Sequence, residues 1–184
     1  MKNLTEVKFF GRGGQGVVTA AEILAKAVVS EGKWAQAFPL FGPERRGAPV
    51  LAFTRISDKP ITIRSVIYEP DIIVVLDPTL PKVVDVKAGL KHRGIAVFNS
   101  KKTLEEIKKE MGFKAKVATV DASRIAIDIL GRPIVNTAIL GALAKATRLV
   151  EVQSIIKVIT EIFHGELGIK NAKAVSRAYE EVKF

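Results

Sequence analysis

Hydrophobic positions in this 184-residue chain fall into short apolar runs of strand length, separated by stretches where they recur at helical spacing. Strand candidates lie at 7–10, 35–38, 50–55, 61–64, 72–76, 95–98 and 117–120. The run D-I-I-V-V-L-D at 71–77 is apolar at consecutive positions. That is the pattern of a parallel strand covered on both faces, so it belongs near the middle of a sheet. By contrast V-L-A-F-T-R-I-S-D-K-P-I-T-I-R, 50–64, sets polar S-D-K-P between two β-rich runs and predicts an antiparallel hairpin inserted into an otherwise alternating βα order. Thr103 and Glu106 form a Thr-x-x-Glu capping box, and Asp121 is placed to cap a second helix running through Ile125 and Ile129. Toward the end, Val152, Ile155, Ile156, Ile159 and Ile162, then Val175, Ala178, Tyr179 and Val182, keep a helical period and predict two core-facing helices.

These elements predict an α/β fold: a Rossmann-like, mainly parallel sheet with an inserted antiparallel hairpin and a helical C-terminal third. No internal repeat, low-complexity tract or linker breaks the chain, so residues 1–184 read as one domain. Ligand sites in such sheets gather beyond the carboxyl ends of the strands. The glycine-rich turn after the first strand, Asp77-Pro78-Thr79, Asn99-Ser100 and Asp121 all follow strands and are expected on one rim.

The turn reads G-R-G-G-Q-G, and Gly11, Gly13 and Gly16 fit G-x-G-x-x-G between a strand and an alanine-rich helix. Glycine allows positive φ and close backbone approach, and the opening N–H groups of the next helix attract anions. A phosphate-bearing ligand and a purely structural turn both fit this pattern. A nicotinamide dinucleotide would want an acidic residue closing the second strand, but W-A-Q-A-F runs into Pro39 with no carboxylate before Glu44. No Lys-Ser or Lys-Thr follows the glycines, so the turn is not a nucleoside-triphosphate P-loop.

Composition narrows the chemistry further. The chain has no cysteine, which excludes disulfides, a thiol nucleophile and cysteine-held zinc or iron–sulfur sites within it. His92 and His164 stand far apart without a second ligand at metal spacing and read as surface residues near helix ends. The net charge of +10, from 29 basic and 19 acidic residues, favours acidic partners. Lys101, Lys102, Lys108, Lys109, Lys114 and Lys116 surround the Thr103 helix with only Phe113 nearby for stacking, so a solvated face is favoured over a nucleic-acid site. The apolar runs are too short for a membrane span and no signal peptide opens the chain, which predicts a cytoplasmic protein. No Ser-His-Asp set, carboxylate pair or nucleophile elbow can be assembled.

A second unusual stretch is F-P-L-F-G-P-E-R-R-G-A-P, 38–49, where Glu44, Arg45, Arg46 and Gly47 stand beside apolar residues in a segment too rich in Pro and Gly for helix. It reads either as a solvated turn with Glu44 paired to an Arg, or as a binding loop in which Arg45 or Arg46 grips a carboxylate or phosphate. Asn136-Thr137, after Gly131-Arg132-Pro133, opens a further helix and reads as its cap.

Four ordered motifs carry a resemblance over nearly the whole chain: G-R-G-G-Q-G at 11–16, A-F-P-L-F-G-P-E-R-R-G-A-P-V at 37–50, P-D-I-I-V-V-L-D at 70–77 and V-N-T-A-I-L-G-A-L at 135–143. Together they resemble the gamma subunits of 2-oxoacid:ferredoxin oxidoreductases, and most of all the pyruvate:ferredoxin branch. The resemblance implies a heteromeric enzyme that decarboxylates a 2-oxoacid on thiamine diphosphate with Mg2+, passes electrons through [4Fe-4S] clusters to ferredoxin, and forms acyl-coenzyme A. It implies alpha, beta (thiamine-binding) and delta (ferredoxin-like) partner subunits that carry those cofactors, with none bound by this chain alone. Within such a complex, loop position and charge lead us to expect Arg12, Gly13, Gly14, Gln15, Gly16, Glu44, Arg45, Arg46, Gly47 and Asn136 on a face toward coenzyme A or the partner subunits, with no catalytic residue here. Competing readings are a related 2-oxoisovalerate or 2-oxoglutarate complex, or a free-standing basic domain that binds nucleotides or RNA.

Overall fold

The computed structural model describes residues 4–40, 47–113 and 115–184. Six strands, β1 (Leu4–Arg12), β2 (Trp34–Leu40), β3 (Pro49–Ser57), β4 (Ile72–Val75), β5 (Ile95–Asn99) and β6 (Lys116–Val120), form one sheet in the order β2-β3-β1-β4-β5-β6. β1, β4, β5 and β6 pair in parallel, while β3 is antiparallel to both β1 and β2. All four residues of β4 are buried between β1 and β5, as its unbroken apolar run predicts.

An antiparallel hairpin is present, but its strands are β2 and β3 rather than the two halves of 50–64. Residues 61–64 pair with no strand. The reason is Arg55, which is 1% exposed in mid-sheet and draws the carbonyl oxygens of Ile63 (3.3 Å) and Ser65 (2.6 Å) onto its guanidinium. Those two carbonyls lie two residues apart, so the segment crosses the sheet as a strap, with its odd-numbered carbonyls turned to a cation instead of a ladder. Gln36 Nε2 holds the Ile61 carbonyl in the same way, at 3.4 Å.

α1 (Val17–Ser30) buries Ala20, Ala21, Ile23, Leu24, Ala27 and Val28 against β2 and β3. α2 (Leu104–Met111) lies on the opposite face beside β6; its Thr103–Glu106 capping box is formed as predicted. α3 (Ala122–Leu130) is capped by Asp121, whose carboxylate accepts from the Arg124 N–H at 3.0 Å. α4 (Ala138–Thr147), α5 (Val152–Ile162) and α6 (Gly165–Glu181) complete the helical third. Gly141 permits the α4–α6 crossing, because a Cβ there would lie 2.1 Å from the Val175 carbonyl oxygen. His164 precedes α6 on the surface, and His92 is exposed in a turn. Among the described residues no helix is long and apolar enough to cross a membrane.

The sheet separates two cores. On one face Val7, Phe9, Val74, Val97 and Ala118 meet α1 and the C-terminal helices. On the other, Phe10, Ile73, Val75, Ala96 and Phe98 meet Ile107 of α2 and Leu80 of a 3-10 turn. The carboxyl ends of β1, β4, β5 and β6 all open toward one rim.

Candidate functional site

β1 ends at Arg12, and the next four residues reverse the chain through Gly14 (φ 91°) and Gly16 (φ 72°), backbone conformations that suit glycine. The turn is closed by its own polar groups. Gln15 Oε1 accepts from the Arg12 N–H at 2.7 Å, and the Gln15 N–H donates to the Arg12 carbonyl at 3.0 Å. Gly11 is required for this closure: a Cβ there would stand 2.3 Å from Val17 Cγ2 and 3.1 Å from Gln15 Oε1.

Neighbouring loops are tied to it through Asp77. Gln15 Nε2 donates to Asp77 Oδ2 at 2.6 Å, and Arg12 Nε lies 3.4 Å from the same oxygen. The other carboxylate oxygen accepts from the Thr79 N–H (2.8 Å) and hydroxyl. Arg12 also donates to the Gly47 carbonyl (3.0 Å) and to Thr79 Oγ1 (2.9 Å), while the Gly13 N–H reaches the Ala48 carbonyl at 3.0 Å. One guanidinium thus braces the glycine turn, the return of the chain into β3 and the loop after β4. Next along the rim, Asn99 Nδ2 donates to the Leu76 carbonyl (2.8 Å) and Ser123 Oγ (2.9 Å), joining β4, β5 and α3.

Burial alone would raise the Asp77 carboxyl, but the hydrogen bonds from Thr79 and Gln15 and the nearby Arg12 outweigh it and hold the group below its ordinary value. A depressed native value contributes stability that is present above the unfolded value of about 3.9 and lost as pH falls through the native one. Asp77→Asn is therefore expected to be less stable than the parent at neutral pH. The gap should narrow as pH falls below about 4, where the unfolded chain's carboxylate takes up a proton, and close below the depressed native value. Urea midpoints measured at pH 7 and pH 3 check this, and a gap that widens on acidification would contradict it.

Beside this brace lies a set of donors. α1 starts at Gly16 with no side chain capping it, and its first internal hydrogen bond is from the Ala20 N–H to the Gly16 carbonyl. Among the described residues nothing accepts from the opening N–H groups of the helix, which lie at the positive end of its dipole. Asn136 comes to the same place. It is 6% exposed, its Oδ1 is taken by the Thr137 N–H at 3.0 Å, and its Nδ2 would stand 2.4 Å from a Cβ on Gly16. Asn136 and Thr137 do not cap α4 with their side chains; Thr137 donates instead to Asn171 Oδ1 at 2.7 Å.

Of the residues singled out in the sequence, Arg12, Gly13, Gly14, Gln15, Gly16, Gly47 and Asn136 are thus brought together at one rim. Glu44, Arg45 and Arg46 lie outside the described residues, as does Lys114. Asp77 and Thr79 were legible as rim residues but not as the partners of Arg12 and Gln15; the signal was a D-P-T turn following a buried strand. The arrangement offers amide and backbone donors to an anion beside a locked carboxylate. Among the described residues no group of three or more acidic or histidine side chains could hold a metal ion.

The place of β2 bears on which anion fits. In a dinucleotide fold the strand after the first helix lies beside the first strand and bears the ribose-binding acid. Here β3, running antiparallel, takes that place and moves β2 to the sheet edge. The ribose position of a nicotinamide dinucleotide is therefore not built.

Comparison with known proteins agrees with this geometry. Residues 6–181 match the family model described as pyruvate ferredoxin/flavodoxin oxidoreductase. The chain is 59% identical, over 97% of each sequence, to the "pyruvate/ketoisovalerate oxidoreductases common subunit gamma" of Thermococcus litoralis. It is 54% identical to pyruvate synthase subunit PorC of Methanothermobacter thermautotrophicus, over 98% of this chain and 97% of that one. The crystal structure of pyruvate oxidoreductase subunit PORC (EC 1.2.7.1) from Thermotoga maritima superposes with a TM-score of 0.89 at 40% identity, covering 99% of this chain and 98% of that one.

Proposed function

This chain belongs to the pyruvate ferredoxin/flavodoxin oxidoreductase family, and from that premise we propose that residues 1–184 form the gamma subunit domain of a cytoplasmic pyruvate:ferredoxin oxidoreductase. The complex converts pyruvate, coenzyme A and oxidised ferredoxin to acetyl-coenzyme A, carbon dioxide and reduced ferredoxin. The alpha, beta and delta chains supply thiamine diphosphate, Mg2+ and the [4Fe-4S] clusters. The gamma chain contributes assembly and the side of the active site that coenzyme A approaches.

The observation that carries this reading is the rim itself: an uncapped α1 N-terminus and the Asn136 amide beside a turn braced by Arg12, Gln15 and Asp77. Such donors suit the phosphates of coenzyme A, and the brace keeps the receiving turn rigid before the ligand arrives. Each residue here binds or positions; the chemical step belongs to the partner chains. Glu44, Arg45 and Arg46 directly precede Gly47 in the chain, whose carbonyl Arg12 holds, and an Arg pair suits bidentate contact with phosphate.

Arg45→Ala and Arg46→Ala, introduced into the assembled complex, are expected to raise KM for coenzyme A by about tenfold each while leaving KM for pyruvate near its parent value. Anaerobic assays with both substrates varied check this. If neither coenzyme A kinetics nor assembly changed, the coenzyme A face would have to be sought elsewhere.

One observation favours a second oxoacid as well. The relatives at 58–59% identity are named as common subunits of pyruvate and ketoisovalerate oxidoreductases, whereas the pyruvate synthase subunits match at 53–54%. Tagging the native chain and assaying every co-purified complex with pyruvate and 2-oxoisovalerate distinguishes a dedicated subunit from a shared one.

A further inference from the structure

In the register of the sheet, Lys8 occupies one row across the strands with Phe38, Phe53, Ile73, Ala96 and Val117. It is the one charged member of that row. Its ammonium group sits 5.0 Å from the centre of the Phe10 ring, half-buried. No carboxylate among the described residues pairs with it. The nearest on its own strand face, Glu6, is already held by Arg55 Nε at 3.0 Å and Lys91 Nζ at 3.7 Å.

What covers this face explains the position. α2 and the 3-10 turn lie over the β4–β6 half. Over the β2–β3–β1 half the described residues lay the strap held by Arg55 and Gln36, across the row Gln36–Arg55–Glu6. Among the described residues no helix lies over the rows above it, where Phe53 is fully buried but Phe38, Leu51 and Lys8 are partly exposed and Leu40 is 41% exposed. Partial burial lowers the Lys8 ammonium from its ordinary range, and no carboxylate among the described residues offsets that desolvation.

We propose that this half of the sheet face, Lys8 with Phe38, Leu40 and Leu51, is a docking surface for another subunit of the complex, which places an Asp or Glu within an apolar contact against the Lys8 ammonium. The inference rests on the subunit reading above. Charge complementarity selects the occupant: a half-buried lysine in an apolar surround, with no carboxylate partner among the described residues, is stabilised by one carboxylate that arrives with its own apolar rim and excludes solvent around the pair. A nucleic acid would want several cations along a track, which this row does not have.

The test uses the native complex and the isolated chain. A zero-length carbodiimide joins an amine to a carboxylate in direct contact, with loss of water. In the complex it is expected to couple Lys8 to an Asp or Glu of a different subunit, read by mass spectrometry of the cross-linked peptide. Lys8 should also react with an amine-acetylating reagent at least tenfold more slowly in the complex than in the free chain, while exposed Lys108 and Lys109 react equally in both. Lys8→Met should leave the Tm of the isolated chain unchanged or raised and weaken association at least tenfold; Lys8→Glu should prevent it. The proposal is overturned if Lys8 labels equally in both states, or if its cross-links run to Glu6 or to a second copy of this chain. Failure of the chain to co-purify with any larger subunit would instead overturn the subunit reading.

Discussion

Arg55→Met is expected to lower the unfolding free energy by about 3 kcal/mol, a large share of the total for a domain of this size. The side chain is 1% exposed and makes four separate attachments: Glu6 Oε1 at 3.0 Å, the Ile63 and Ser65 carbonyls, and the face of Phe38 at 5.2 Å. Met keeps the stem against Phe38 but removes every donor. Glu6 retains Lys91, so the loss should fall at the lower end of the range for breaking a buried ion pair. The strap, having lost the cation that holds its carbonyls, should exchange its amide hydrogens faster than the β1–β4 ladder does. Urea denaturation with hydrogen exchange reads both effects. A loss below about 1 kcal/mol with unchanged exchange would mean that the strap is held by Ile67 and its neighbours alone.

The same arginine explains why part of the fold was not legible in the sequence. Local pattern was sufficient wherever a segment's partner was implied by its own composition: the four-residue buried strand β4, the Thr103 capping box and the Asp121 cap all form as their sequence signals predict. Residues 61–64 alternate as a strand does, but side chains of the sheet compete for the carbonyls of this segment and win: Gln36 takes that of Ile61, and the buried Arg55 those of Ile63 and Ser65. Nothing local announces that competition, because an Arg within a strand ordinarily points to solvent. The displacement of β2 to the edge is similarly non-local: it depends on which strand β1 accepts as neighbour, not on W-A-Q-A-F itself.

At the rim the balance is different. Chain order relative to the strands was enough to gather the glycine turn, Asp77-Pro78-Thr79, Asn99 and Asp121 at one edge. Asn136, two residues before α4, reached it through its close approach to Gly16 at the start of α1. The internal brace was hidden for a chemical reason. Arg12 and Gln15 read equally well as ligand groups, and only geometry shows that both are committed to Asp77, Thr79 and Gly47. Among the described residues the donors left for a ligand are backbone N–H groups, which have no side-chain signature, and the Asn136 amide.

That distinction leads to the second large effect, Gly16→Ala. Gly16 has φ 72°, where a Cβ costs about 1–2 kcal/mol by itself. The added methyl would also lie 2.4 Å from Nδ2, 2.9 Å from Cγ and 3.2 Å from Cβ of Asn136. Asn136 is buried and tethered by the Thr137 N–H, so it has little room to turn away. The combined loss is expected at about 3 kcal/mol. Asn136→Ala alone removes one hydrogen bond and should cost about 1 kcal/mol. In the double variant the clash is gone while the φ strain remains, so its loss should fall below the sum of the two by about 1 kcal/mol or more. In the assembled complex Asn136→Ala should raise KM for coenzyme A while kcat/KM for pyruvate at saturating coenzyme A stays close to the parent value. The two readouts separate the two roles of the turn. Non-additive stability with unchanged coenzyme A kinetics would make Gly16 and Asn136 a packing pair only, and the uncapped α1 terminus would then bind no phosphate. A coenzyme A defect in Asn136→Ala, whose fold is nearly intact, would assign the amide and the helix end to the ligand.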